Sequence, residues 1–383
     1  MSEQTDNYPS PNPERQKIAL KYENINRKLL LLELALTAII LLAILFSGIF
    51  VKLNTVLDSP RPWIISVYLI LLLIIPAIIS APISYYSEFV LGRRFGLSTQ
   101  SFKSWAIDKI KSGLLTLVLG LIMIIFIYWM LEIAPHLWWV WSGCFLVLLV
   151  IVIAQLTPTL LIPIFYKLEP LKDAELEARL RKLCDRAETA VMGIFTMNLS
   201  SKSTTANAML AGIGNTRRII LTDTLLQTYT AGEIEVILAH ELGHHLHRDI
   251  VKLIIIQSLV IFLGLFLAHL ALTGAAGFFG YQSPDNPASL PLMVIVLAVY
   301  NAIVTPVINA YSRTIEYAAD AAAIELTANP GEFISAMTRL VDQNLSVANP
   351  RRWMELLFYS HPPYNKRIKP AIAVIQKNSG GNR

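Results

Sequence analysis

Six uninterrupted apolar stretches, at about 29–51, 63–84, 113–131, 138–157, 252–272 and 290–311, limit what this chain of 383 residues can fold into. Each is close to the ~20 residues that an α-helix needs to cross a bilayer. Lipid offers no water to backbone N–H and C=O groups, so such stretches have to be helical, each satisfying its own backbone groups. Composition agrees, because 54% of the residues are hydrophobic and only 15% are charged, against roughly 25% charge in soluble domains. The net charge of +5 is dispersed and no RNA or DNA motif is present, so nucleic acid is excluded as a partner and the lipid bilayer is expected instead. Two cysteines, Cys144 in an apolar stretch and Cys184 in a polar one, make neither a disulfide framework nor a thiolate metal site.

Lys and Arg in short connections mark the cytoplasmic side of a membrane protein. Arg15, Lys17, Lys21, Arg27 and Lys28 precede the first stretch, and Arg93, Arg94, Lys103, Lys109 and Lys111 follow the second. The polar block 165–250 and the tail after the sixth stretch are also basic, whereas 52–62, 132–137 and 273–289 hold very few cations. Six spans with both termini inside satisfy every segment. Residues 1–28 are then a cytoplasmic tail before an uncleaved signal anchor, 29–164 a membrane domain of about four spans, and 165–383 a second domain with two further spans. The last residues, 378–383, read as frayed.

Within 165–250, Leu176, Leu180, Leu183, Ala187 and Ala190 recur at helical spacing. Residues 193–198 and 217–222 read as strands joined through the turn-rich Gly212, Gly214 and Asn215. Thr230 and Glu233 form a capping box for the next helix, which is expected to run on into the fifth span. Asn329-Pro330 starts another.

The capped helix carries His240-Glu241-Leu242-Gly243-His244. Residues four apart share one helical face, so both imidazoles can bind one zinc ion while Glu241 reaches the attacking water. A catalytic zinc takes three protein ligands and leaves one position open. His245, His247 and His361 are open as the third ligand, as is an acidic residue downstream. His245 points off the shared face and His247 fits it poorly. Glu316 and Asp320 in Ser312-Arg-Thr-Ile-Glu-Tyr-Ala-Ala-Asp320 fit better, because one carboxylate of an i, i+4 pair can ligate while the other orients a ligand histidine.

Together, HELGH, SRTIEYAAD and His361-Pro-Pro-Tyr-Asn-Lys-Arg367-Ile resemble the type 1 CAAX prenyl proteases, the a-factor-converting enzymes. Tyr86-Ser-Glu-Phe-Val90, Arg94-Phe-Gly-Leu97, the stretch from Phe102 through Asp108 to Lys111, Asn207-Ala208 and Arg218 to Leu226 extend the resemblance over about residues 80–370. The resemblance implies a mostly α, multi-span membrane protein with a small α+β, gluzincin-like zinc protease domain on the cytoplasmic side. It implies one zinc per chain on His240, His244 and Glu316, Glu241 as base, and Asp320 as a supporting acid. His361 and Arg367 would lie near the bound peptide, and Asn207 on the strand edge that receives it. Partners would be peptide or protein substrates, prenylated C-terminal peptides among them. The family's large water-filled intramembrane chamber is a further implication. Two other classes compete: a general quality-control protease with the same chemistry, and a transporter or channel, which has no use for HExxH.

Polar residues within the spans are the remaining signal. His269 lies about 37 Å beyond His244 along a continuous helix at ~1.5 Å per residue, too far to share its metal. Gln155, Gln257 and Asn301 fit a wet interior or interhelical hydrogen bonds equally well.

Overall fold

The computed structural model describes residues 8–56, 61–212, 214–281 and 283–380; residues 1–7 of the expected tail, 57–60 of the first outer connection and 381–383 of the expected frayed end lie outside them. Six helices are long and apolar enough to span a membrane. We label α1 (Pro13–Phe46), α2 (Arg61–Ser84), α3 (Phe102–Ile133) and α4 (Trp138–Leu156) for the first four. The fifth and sixth are α7 (Asp249–Phe279) and α8 (Leu290–Thr327). α2, α3, α7 and α8 contain their apolar stretches and extend beyond them, whereas α1 and α4 stop at Phe46 and Leu156, short of the expected ends at about 51 and 157. α1 starts well before residue 29, capped by Asn12, whose side chain accepts from Glu14 and Arg15 N–H, with Pro13 at the first helical position. α8 runs 16 residues past the expected end of its span (327 minus 311) and so carries Glu316 and Asp320 on the same unbroken helix.

Between α4 and α7 the chain forms strands β1 (Leu168–Pro170), β2 (Gly193–Met197), β3 (Ala208–Ala211) and β4 (Arg218–Thr222), with helices α5 (Ala174–Arg186) and α6 (Ala231–Leu246). The sheet order is β1-β2-β4-β3. β2 and β4 pair in parallel, and β3 pairs antiparallel to β4 at one edge. α5 buries Leu176, Leu180 and Leu183 as its period requires, but ends at Arg186, so Ala190 lies beyond it. β3 and β1 were not legible as strands, being only four and three residues long.

The expected continuous helix from HExxH into the fifth span is broken. α6 stops at Leu246, Arg248 adopts a left-handed conformation at φ +54°, and α7 begins at Asp249. A non-glycine residue in that region is strained. What it brings is Asp249 folded back against α6, as described below.

Two apolar cores result. One joins α5, the sheet, α6 and helix α9 (Pro330–Gln343), with Leu180, Leu183, Leu225 and Phe333 fully enclosed. The other joins the membrane helices around Tyr68, Leu131, Trp138 and Leu272. His269 belongs to this second region, where its Nδ1 accepts from Trp138 Nε1 at 3.0 Å. Gln155 donates to Thr216 at 2.7 Å, and Asn301 donates to the Leu297 carbonyl of its own helix.

Candidate active site

α6 begins with the expected capping box: Thr230 Oγ1 accepts from Glu233 N–H, and the Glu233 carboxylate accepts from Thr230 N–H. The Glu233 side chain is then held by Ser335 at 2.6 Å and Arg339 at 3.1 Å on α9. So fixed at its start, α6 lies directly against α8. Gly243 makes that closeness possible, because a Cβ there would meet Ala319 Cα and Ala322 Cβ at 3.0 Å.

Close packing brings His240, His244 and Glu316 together, with one ligand atom of each within 4.8 Å of the others. Among the described residues this is the group of His, Cys, Asp and Glu able to hold a metal ion, and His245 and His247 lie outside it. Glu316 Oε2 is 3.3 Å from His240 Nε2, and Oε1 is 3.5 Å from His244 Nε2. Glu316 is buried, and its Oε2 has no hydrogen-bond partner. A buried, unpaired carboxylate oxygen is costly in a folded chain; here Oε2 faces the His240 ring while Oε1 faces that of His244.

Both imidazoles are held from behind. His240 Nδ1 donates to Asp320 Oδ1 at 2.9 Å, and His244 Nδ1 donates to Asp249 Oδ2 at 3.1 Å. With Nδ1 held in this way, each ring presents Nε2 on the Glu316 side, the nitrogen that a metal would take once its proton is lost. Asp320 is completely buried and also takes two bonds from Arg367, Nε at 2.8 Å and an Nη at 2.5 Å. The same Nη approaches His240 Nδ1 at 3.4 Å, a packing contact, since that nitrogen already donates to Asp320. Asp249 is shared with Lys252 at 2.9 Å. Sequence reasoning paired one ligand histidine with a carboxylate and missed Asp249. Its one signal was an acidic residue five positions past His244, which a continuous helix would have carried away.

Charges at the site follow from these contacts. Burial pushes the His240 imidazole down, but the Asp320 and Glu316 carboxylates more than offset it, and its pKa rises to about 9. Burial pushes the Glu241 carboxyl up from its ordinary value, toward the range that suits a general base.

Glu241 and His240 lie in a cleft of about 590 Å³ together with Asn207, His361 and Arg367. His361 places Nδ1 3.0 Å from Glu316 Oε1 while its side chain stays 64% exposed. Asn207 pairs with Thr222, each main chain bonding to the other residue, so Ala208 and Leu210 turn their backbone groups to the free edge of β3. The Leu210 group bonds Glu241, and Ala208 N–H is taken by Asn207 Oδ1 at 2.9 Å.

A multi-span helical bundle whose small α+β domain holds HExxH and a distant Glu around one point is the construction of a membrane metalloprotease. Comparisons with known proteins agree. Residues 12–167 match the CAAX prenyl protease N-terminal family, described by five membrane helices, and residues 170–374 match peptidase family M48. An uncharacterized metalloprotease of Bacillus subtilis, YhfN, is 26% identical over 94% of this chain and 86% of its own. CAAX prenyl protease 1 of Saccharomyces cerevisiae is 31% identical over 81% of this chain and 72% of its own. The crystal structure of S. mikatae Ste24p shares the fold at a TM-score of 0.85 and 24% identity, covering 97% of this chain and 93% of that one. The chain belongs to peptidase family M48 and is a multi-pass membrane metalloendopeptidase.

Proposed function

We propose that His240 Nε2, His244 Nε2 and Glu316 hold one zinc ion, and that Glu241 is the general base of peptide-bond hydrolysis. The Glu316 carboxylate, with one oxygen orphaned and its two oxygens facing two imidazoles whose other nitrogens are tied to Asp320 and Asp249, carries this reading. When bound, zinc supplies a Lewis acid that polarises the scissile carbonyl and acidifies water. Glu241 takes the proton of the attacking water and delivers it to the leaving amine. Asp320 and Asp249 keep the imidazole tautomers fixed through that transfer. His361 and Arg367 reach the same cleft from one short segment, and we assign them as donors to the developing oxyanion or to the peptide carbonyl. An extended peptide adds along the free edge of β3, where Asn207 releases the Ala208 N–H to it.

The yeast relative is named a CAAX prenyl protease. By that likeness the substrates we assign are peptides and proteins, prenylated ones that lose a C-terminal tripeptide among them. The basic connections support a site on the cytoplasmic side. The test compares Glu241→Gln with Glu316→Gln for zinc content and for turnover of a fluorogenic peptide. Glu241→Gln keeps about one zinc per chain and loses on the order of 10²–10⁴ in rate, whereas Glu316→Gln loses the metal. A Glu316→Gln protein with full zinc and near-normal turnover overturns the ligand set.

A further inference from the structure

The cleft has a wall that the HExxH chemistry does not use. Its lining includes Tyr22, Glu23, Asn26 and Arg27, which lie on the part of α1 that precedes the first apolar stretch. This wall is anchored to the protease domain on both sides. Pro9 accepts through its carbonyl from Thr338 and Tyr364, at 3.1 and 2.9 Å. Asn12 N–H donates to the Asp342 carboxylate at 2.9 Å, and Arg15 Nε donates to the Asp342 carbonyl at 2.8 Å. Gln16 bonds Ser346 and Ala348 in both directions. Farther along, Tyr359 donates to Glu23 at 2.7 Å, Glu23 pairs with Arg27 at 2.7 Å, and the Arg27 guanidinium stacks 4.0 Å over Phe358.

A second cavity of about 210 Å³ adjoins this wall. It is lined by the same Glu23, Asn26 and Arg27, and then by Leu30, Glu33 and Ser87. Residues 23, 26, 27, 30 and 33 follow the spacing of one helical face, so a single stripe of α1 leads from the catalytic cleft to the start of the first span. Glu33 stands at its end, half-buried, with Ser84 Oγ at 3.3 Å as its hydrogen-bond partner. Glu23 is neutralised by Arg27, and Glu33 has no cation of its own among the contacts of the described residues. A carboxylate at the edge of an apolar stretch, opening on a cavity that shares Glu23, Asn26 and Arg27 with the catalytic cleft, is a binding element for a cation.

We propose that Glu33 ends a substrate subsite that receives a lysine or arginine side chain of the peptide, several residues from the scissile bond. From Glu23 to Glu33 the helix rises about 15 Å at ~1.5 Å per residue. An extended peptide covers that length in roughly four to five residues at ~3.3 Å each. The enzyme therefore reads charge at a distance while reading backbone at the β3 edge. This deepens the peptidase reading given above and rests on it.

The experiment uses the full-length protein in nanodiscs and two readouts. The first is kcat/KM for fluorogenic peptides carrying Lys, Gln or Glu at each of the third to sixth positions on either side of the cleaved bond. The second is the affinity of the same peptides for Glu241→Gln protein, measured by fluorescence anisotropy, which needs no turnover. Lys is expected to exceed Gln by about fivefold at one position, the effect of a single partly exposed ion pair, and Glu to fall below Gln there. Glu33→Gln should bring the Lys-to-Gln ratio to about one, and Glu33→Lys should invert it. A wild-type protein that shows no charge preference at any position in either readout overturns the subsite, and so does a Glu33→Gln protein that keeps the preference. If no peptide is cleaved but the charge preference appears in binding, the failure belongs to the catalytic assignment and not to the subsite.

Discussion

Replacing Asp249 by Asn tests whether the break after α6 serves the metal site. Asp249 is buried, accepts from His244 Nδ1 at 3.1 Å and is shared with Lys252 at 2.9 Å. Asn keeps the size and one acceptor oxygen but removes the charge that holds the Nδ1 proton and raises the basicity of Nε2. Changes of this kind usually lower metal affinity by about 10–100-fold, or roughly 1.4–2.7 kcal/mol. The bond is long, the carboxylate is already partly neutralised by Lys252, and the His244 side chain is 23% exposed, so the loss belongs near the lower end, at about tenfold. Asp320→Asn is the internal comparison. Asp320 is fully enclosed, holds His240 at 2.9 Å and accepts twice from Arg367. Its loss is expected to lower zinc affinity by about a hundredfold. It also strips a buried guanidinium of its main partner, a break that typically costs about 3–5 kcal/mol of stability; Glu316 at 3.7 Å from the same Nη keeps the cost near the lower end. The assay is competition for zinc against a chromophoric chelator, beside thermal melting of the metal-free proteins. Wild-type zinc affinity in Asp249→Asn, with His244→Ala losing the metal as a control, would refute the role assigned to the break.

Zinc uptake by metal-free protein should strengthen as pH rises through the window from 6.5 toward 9. The folded His240 pKa is raised to about 9, so below that value a proton competes with the metal, and a chelator titration that is flat across the window contradicts it. For topology, after Cys144 and Cys184 are replaced by Ser, new cysteines at Lys172 and Lys377 should be protected from an impermeant reagent in intact cells, and one at His136 should react; the reverse pattern would place the site on the outer side. Gly243→Ala is expected to fold but to be destabilised by about 1–3 kcal/mol, typical of overpacking, and to bind zinc more weakly. The added methyl would meet the Ala319 backbone at 3.0–3.1 Å, between Glu316 and Asp320 on the same helix; unchanged melting and zinc affinity would sink that expectation.

What the sequence makes legible here is whatever repeats along one helix or strand. The six spans are visible because each apolar run is itself the membrane-crossing element. His240, Glu241 and His244 are visible because one helical turn separates them, and Glu316 and Asp320 for the same reason. The strands β2 and β4 show through their apolar runs, whereas β3, with only Ala208 to Ala211, has too few side chains to display alternation. The polar stripe of α1 was hidden differently. Glu23, Asn26 and Arg27 stood in a segment read as a tail, and only the cleft they line gives the spacing a meaning.

The less legible features lie between helices, and the metal site depends on them. His240 and His244 share α6, yet their supporting carboxylates come from two different spans, Asp320 on α8 and Asp249 on α7. A straight helix from α6 into the membrane could not have used Asp249, because residue 249 would have followed His244 along the axis instead of turning back to its ring. The left-handed residue Arg248 is therefore a strain with a use. It detaches the fifth span from the HExxH helix and returns that span's first residue to the His244 ring. The packing of the two last spans against each other then bears on the imidazoles. Gly264 on α7 lies so close to Tyr300 on α8 that a Cβ would meet the ring at 2.9 Å. A displacement there moves Asp249 relative to Asp320, and with them the two nitrogens that must converge on one ion. On the proposed ligand set, the bilayer-spanning helices supply Glu316, Asp320 and Asp249, and the HExxH motif by itself specifies only half of the site.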